Sequence, residues 1–268
     1  MTRGGLIAPL IDPDAHPVIG HRGASGHAPE NTLPSFELAI SAGVDALEFD
    51  VHLSADGVAV VIHDATLDRT TDRSGAVAGM RYSDIREADA GARFTTDGSR
   101  SYPFRGRGIH VPTLDEVLGA FPDLPIVLEI KTARAQQESL RVLGRHGGKA
   151  RAVVSAFDPA AVAAFRAEGW MTGAARAEAA RLRFAPRVPP SVAYRALFVP
   201  VRWRAIPVPT RGFVQRARRL GCPVHVWTVN DPALGVRLWQ RGCAGMIGNF
   251  PEEMRAARED MMNGVSVL

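Results

Sequence analysis

Residues 18–53 read VIGHRGASGHAPENTLPSFELAISAGVDALEFDVHL, and the order of patterns in this stretch decides the fold class. A short apolar run, VIGH over 18–21, delivers a polar loop punctuated by Gly and Pro. A helical pattern follows, TLPSFELAISAG over 32–43, opened by a threonine and closed by a glycine, as helices commonly start and stop. A second apolar run, ALEFDVHL over 46–53, then returns. Strand, helix and strand in that order make a βαβ unit and argue for parallel strands in one sheet.

Working outward, the rhythm persists. Further strand candidates are 58–63 (VAVVIH), 126–131 (IVLEIK), 152–157 (AVVSAF), 196–201 (ALFVPV), 224–229 (VHVWTV) and 245–248 (GMIG). Helical patterns occupy 113–121, 158–169, 210–221 and 231–242. The weaker stretch 170–195 holds a short strand at 171–175 and a helix at 177–184. About eight such units in 268 residues favour closure into a TIM-like (β/α)8 barrel, one domain spanning 1–268. Residues 65–112 break the rhythm with Asp, Arg, Gly and Ser and little apolar periodicity. They read as a small irregular insertion after the second βα region, a loop or lid. Asp56-Gly57, between two apolar runs, is a hairpin turn signal.

Composition excludes several classes. A hydrophobic content of 46% and a charged content of 22% are those of a soluble globular chain. No apolar run approaches the ~18 residues of a membrane span, so no stable membrane anchoring is expected. The first residues lack a full apolar region followed by a cleavage site, and no signal peptide is expected. Cys222 and Cys243 make no disulfide framework, which fits a reducing compartment; the expectation is cytoplasmic. The pI near 9.6 comes with a net charge of only +4, carried by 30 Arg against 2 Lys. The arginines are spread out and no nucleic-acid-binding motif accompanies them, so no nucleic-acid partner is expected. A modest attraction to anionic substrates remains. In a chain that writes Arg nearly everywhere, Lys131 stands out.

Strand parity locates the chemistry. Glu48 and Asp50 are two apart in one strand, so both point to one face while Leu47, Phe49 and Val51 point to the other. Glu129 and Lys131 repeat the device in LEIK. Three carboxylates converging at a barrel mouth would make a hard, oxygen-rich site suited to one divalent cation, Mg2+ or Ca2+. The alternative is that each carboxylate is a buried acid neutralised by an arginine. His21 and His63 each follow an apolar run at its C-terminal end. Imidazoles titrate near neutrality, so one can accept a proton while the other donates one to a leaving alkoxide. Asp64 could orient the His63 ring or start the turn, and the turn is preferred. Arg22 and Lys131 complete the charge balance for a phosphodiester monoanion.

The stretch from Gly20 to Gly75 closely resembles the glycerophosphodiester phosphodiesterase family. The motifs HRG, PENT, E-x-D, HD-x-x-L-x-R-T-T, LEIK and WTVN occur here in that family's order, densely over the first sixty residues and thinly to Pro251. The resemblance implies a TIM-like barrel with an insertion after His63, and metal-dependent hydrolysis of small glycerophosphodiesters to glycerol 3-phosphate and an alcohol. It implies Glu48, Asp50 and Glu129 as metal ligands, His21 and His63 as the acid–base pair, and Arg22 and Lys131 as phosphate contacts. Glu30 and Asn31 then support the loop and the ligands behind them, or Asn31 caps the helix that follows. Trp227 resembles an aromatic platform beside the substrate glycerol, or packs at the rim.

Two departures stand out: Ala156-Phe157 where the family commonly has Ser-Phe, and Gly248-Asn249-Phe250-Pro251 where it usually has a Thr-Asp or Thr-Asn pair. The lost hydroxyl and the bulk of Phe250 at the rim leave the leaving alcohol open. So are the nucleophile, water or the glycerol 2-hydroxyl, and the division of labour between the histidines. The nearest rival is a phospholipase-D-like lyase or lysophospholipase D acting on lysolipids. A nuclease and a non-catalytic phosphate-binding barrel rank below it.

Overall fold

The computed structural model describes residues 5–264. The strands of its main sheet are β1 (Val18–His21), β2 (Ala46–Leu53), β3 (Ala59–Val61), β4 (Ile126–Ile130), β5 (Ala152–Ser155), β6 (Leu197–Pro200), β7 (Val224–Trp227) and β8 (Gly245–Gly248), and a separate exposed ribbon pairs Arg202–Trp203 antiparallel with Ile206–Pro207. Seven of them run parallel in the order β5-β4-β2-β1-β8-β7-β6. The gap between β5 and β6 is bridged by residues 172–173, through parallel pairs Val154–Thr172 and Gly173–Ala196. The barrel therefore closes with eight staves, the weakest being the short strand expected at 171–175.

One strand assignment is corrected. The run 58–63 supplies no stave, because β3 pairs antiparallel with β2, Val51 opposite Val61. Antiparallel neighbours can be joined by a tight hairpin, whereas a parallel neighbour needs a long crossover. The Asp56-Gly57 signal makes that hairpin: Gly57 has φ +82°, and Ser54 N–H donates to the Val58 carbonyl at 2.9 Å.

Helices form where their caps are written. Thr113 and Glu116 form a reciprocal capping box ahead of Leu114–Ala120, and Asp231 accepts from Ala233 N–H to start Pro232–Gln240. Thr210 opens Arg211–Arg219 in the same way. The helices Gln136–Arg145 and Pro251–Met262 had no counterpart in the sequence reading. The inserted region is less irregular than its composition suggests. It contains the helix Tyr82–Arg86, and Leu67, Val77, Ile85 and Val111 build a small apolar cluster against Val60 and Ile62.

Parity sorts the side chains of the staves. Leu47, Phe49 and Val51 join the large core beneath the helices. Ile19, Ala46, Val127, Val153 and Ile247 fill the barrel interior with Ile7 and Leu10, which close its floor. The next inward positions along those staves are His21, Glu48, Glu129 and Ser155, so an apolar interior gives way to a polar mouth within one layer.

Candidate active site

Register makes the inward residues neighbours. His21 lies opposite Glu48, and Asp50 lies opposite Glu129. Glu48, Asp50 and Glu129 each offer a carboxylate oxygen within 4.8 Å of the other two. Asp50 is 1% and Glu48 7% exposed, so their charges must be balanced by protein rather than water. Lys131 Nζ stands 2.8 Å from Asp50 and 2.5 Å from Glu129. The Arg22 guanidinium Nε lies 3.1 Å from Asp50, while its Nη1 donates to Glu30 at 2.8 Å.

The three carboxylates respond differently. Burial pushes the Glu48 carboxyl well up, and the charges of Asp50 and Glu129 push the same way. Burial also raises Glu129, with Lys131 opposing. Asp50 is buried too, yet Lys131 and then Arg22 overcome that and hold it below the usual range. Two cations therefore do not satisfy three carboxylates. A compact, all-oxygen donor set with this residual negative charge fits a hard divalent cation.

Both histidines are held by their Nδ1 atoms. His21 Nδ1 is 2.6 Å from Asn249 Oδ1, and His63 Nδ1 is 2.6 Å from Asp64 Oδ1. Each oxygen can only accept, so each Nδ1 carries the proton and donates it, leaving Nε2 as the free ring atom. Burial, and then the Arg22 charge, lowers the His21 pKa to about 4. The loop between them is tied by ions. Arg69 grips both Glu30 oxygens at 2.7 and 2.8 Å and Asp64 at 2.6 Å. A chain of alternating charge thus runs Arg22–Glu30–Arg69–Asp64 to the His63 ring. Arg69 is the first cause of the lowered Asp64 carboxyl.

The loop backbone is bent to serve this arrangement. Arg22 and Asn31 have φ of +54° and +57°, a left-handed region uncommon for non-glycine residues. Arg22 N–H donates to the Glu48 carbonyl at 2.8 Å, and Asn31 Nδ2 donates to Asp50 at 3.0 Å. Asn31 therefore steadies Asp50 and does not cap the helix Leu33–Ser41, whose N-cap Thr32 makes no side-chain cap bond.

All ten residues singled out from sequence lie around this mouth. Trp227 faces the carboxylates across a small cavity also lined by His21, Arg22 and Glu129, its ring edge-on to Phe157 at 6.0 Å. One expectation is corrected. Asp64 does more than start a turn, since it holds the His63 ring. The apolar bulk of Phe250 packs on Gly26, where a Cβ would come within 2.3 Å of its ring, and meets His27 edge-on at 5.2 Å. Asn249, Arg69 and His52 were missed. His52 Nε2 donates to the His63 carbonyl at 3.0 Å. Arg69 lies inside the HD-x-x-L-x-R-T-T motif, which was its signal.

Comparison with known proteins identifies the family. The model of the Glycerophosphoryl diester phosphodiesterase family matches residues 21–253. A Bacillus subtilis glycerophosphodiester phosphodiesterase is 29% identical over 261 residues, covering 91% of this chain and 86% of that protein. A solved chain from Silicibacter pomeroyi superposes with a TM-score of 0.78 at 29% identity, covering 96% of this chain and 98% of that one. An Oleispira antarctica phosphodiesterase, solved with its product sn-glycerol-3-phosphate, gives 0.70 at 27% identity, covering 91% and 96%.

Proposed function

The chain belongs to the Glycerophosphoryl diester phosphodiesterase family and hydrolyses glycerophosphodiesters; on that premise we propose a cation-dependent mechanism that releases glycerol 3-phosphate and an alcohol. The observation that carries it is the meeting of Glu48, Asp50 and Glu129 within 4.8 Å beside two histidines with free Nε2 atoms. The three carboxylates would hold one divalent cation, Mg2+ or Ca2+. When bound, it would supply a Lewis acid for the phosphoryl oxygens.

Arg22 and Lys131 place positive charge where an anionic diester arrives. Arg22 spends Nη1 on Glu30 and one edge on Asp50, and Lys131 keeps one ammonium proton beyond its two carboxylate contacts. Charge on the transferring phosphoryl group is stabilised best by such fixed donors. His21, held neutral by burial and partnered by an amide, suits the base that takes a proton from the nucleophile at Nε2. His63 is held at Nδ1 by the Asp64 carboxylate, which orients its Nε2, and suits the acid that protonates the departing alkoxide. Glu30, Asn31 and Asn249 position these groups, and Trp227 offers an apolar face to the glycerol.

The test is release of glycerol 3-phosphate from glycerophosphocholine by purified protein, with Mg2+ or Ca2+ and with EDTA. Product that appears only with a divalent cation is expected. Equal turnover in EDTA would remove the cation, and no product in a folded sample would move the reading to the lyase or lysolipid alternatives.

A further inference from the structure

Beyond the polar mouth lies a second and larger cavity of about 410 Å3. It adjoins the first, and Glu129, Ser155, Phe157, Phe198 and Trp227 line both. Its volume falls in the ~300–1,000 Å3 range of small-molecule sites. Past Phe157 and Trp227 its walls are almost wholly apolar, including Ala180, Val199, Pro207 and Val208. The charged groups of that outer part are Arg176 and Arg183, and each guanidinium lies 5.1 Å over a neighbouring ring, Trp203 and Phe184. The far end opens between Phe184, Trp203 and Ile206, which are 65%, 46% and 47% exposed.

We propose that this trough holds a single hydrocarbon chain carried by the phosphodiester substrate. The inference rests on the phosphodiesterase reading and names the substrate class of that same site. A sugar or a second glycerol in the outer trough would find polar side-chain partners only in the guanidiniums of Arg176 and Arg183 and would leave most of its hydroxyls against apolar walls, a costly arrangement. A hydrocarbon chain meets no such cost, gains from removal of its surface from water, and is not limited in length because the far end is open. The trough begins at the carboxylates, so an occupant attached to the reacting phosphate reaches it without leaving the site.

The chain has two possible points of attachment, and the chemistry separates them. An acyl group on the glycerol gives a lysophospholipid: water's oxygen bonds to phosphorus, the bond from phosphorus to the choline oxygen breaks, a water proton ends on that oxygen, and lysophosphatidate is released. An alkyl group on the leaving alcohol gives glycerol 3-phosphate and a long-chain alcohol by the same balance.

The experiment compares kcat/KM for glycerophosphocholine, 1-decanoyl-glycerophosphocholine and glycerophosphodecanol, below their micelle concentrations and with Mg2+ or Ca2+. At least one chain-bearing substrate is expected to exceed glycerophosphocholine by about tenfold or more, since each buried methylene favours binding severalfold. The product identifies the side of attachment. Glycerophosphocholine turned over as well as both overturns the inference and leaves the phosphodiesterase reading standing; all three inert overturns that reading itself. Ala180→Trp fills the trough and Ile206→Asp charges its exposed lip. Both should cut the chain preference about fivefold or more while turnover of glycerophosphocholine stays within about twofold. Ile206→Asp, on an exposed ribbon, covers the case in which Ala180→Trp does not fold. A preference unchanged in the folded variants overturns the assignment to this cavity.

Discussion

His225 offers a test that separates folding from catalysis in the pH profile. Its ring lies inside the barrel with no exposure, stacked on Phe198 at 5.1 Å and 17°. Nε2 donates to the Leu10 carbonyl at 3.0 Å, which leaves Nδ1 buried without a partner among the described residues. Burial accordingly lowers its pKa from 6.5 to about 4. The unfolded chain binds a proton at this residue from about pH 6.5 downward, and the folded chain does so only near pH 4. Stability from the neutral ring is therefore complete above pH 6.5 and drains away as the pH falls toward 4. Taking those two values, acidification from pH 7 to pH 5 costs about 2 kcal/mol. Urea unfolding of the parent and of His225→Gln at both pH values measures it. The variant starts from a different stability, so only the change with pH is compared. Titration of His21 cancels between the two proteins because the sites are separate. The parent should lose about 2 kcal/mol more than the variant. Parallel losses would show that the ring protonates freely in the folded barrel, and would refute the reasoning. Any acid limb in the rate profile should be read only after this loss is known.

The other predictions concern the mouth. His21→Ala and His63→Ala should each lower kcat by about 10²- to 10⁴-fold, and near-normal turnover in steady-state assays would dismiss that residue. Asn249→Ala, which frees the His21 ring, should reduce kcat by roughly 10-fold or more with little change in KM; a change confined to KM would count against positioning. Glu129→Gln should weaken divalent-cation binding by calorimetry about tenfold or more, with an intact circular dichroism spectrum. An unaltered cation affinity would remove Glu129 from the ligand set.

Much of this was legible because barrel strands obey parity. LEFDV and LEIK place their charged residues on one face whatever the rest of the chain does, and the structure finds Glu48, Asp50, Glu129 and Lys131 together. Two features escaped for identifiable reasons. The run 58–63 has the composition of a buried stave, and apolar periodicity does not say whether a strand pairs parallel or antiparallel; the Asp56-Gly57 turn did. Asp64 was read as a turn because an aspartate after a strand is commonly one, and only Arg69, five residues on, shows that its carboxylate is held toward the ring.

Asn249 is the instructive case, because its partner lies 228 residues away and no local pattern joins them. Closure of the barrel does. If the last strand must lie beside the first, then the residue following β8 meets the residue ending β1, and the register puts Gly20 opposite Gly248. His21 and Asn249 are each the next residue. The glycine ahead of Asn249 is required by the same contact: a Cβ at Gly248 would stand 2.3 Å from the Val229 carbonyl oxygen, far inside van der Waals distance. A threonine at that position could enter only by moving the loop after β7, which follows directly on Trp227, the last residue of that strand. The Gly-Asn pair therefore does two things with one local change. It lets the β7 and β8 ends approach closely, and it delivers an amide oxygen to the histidine that begins the site.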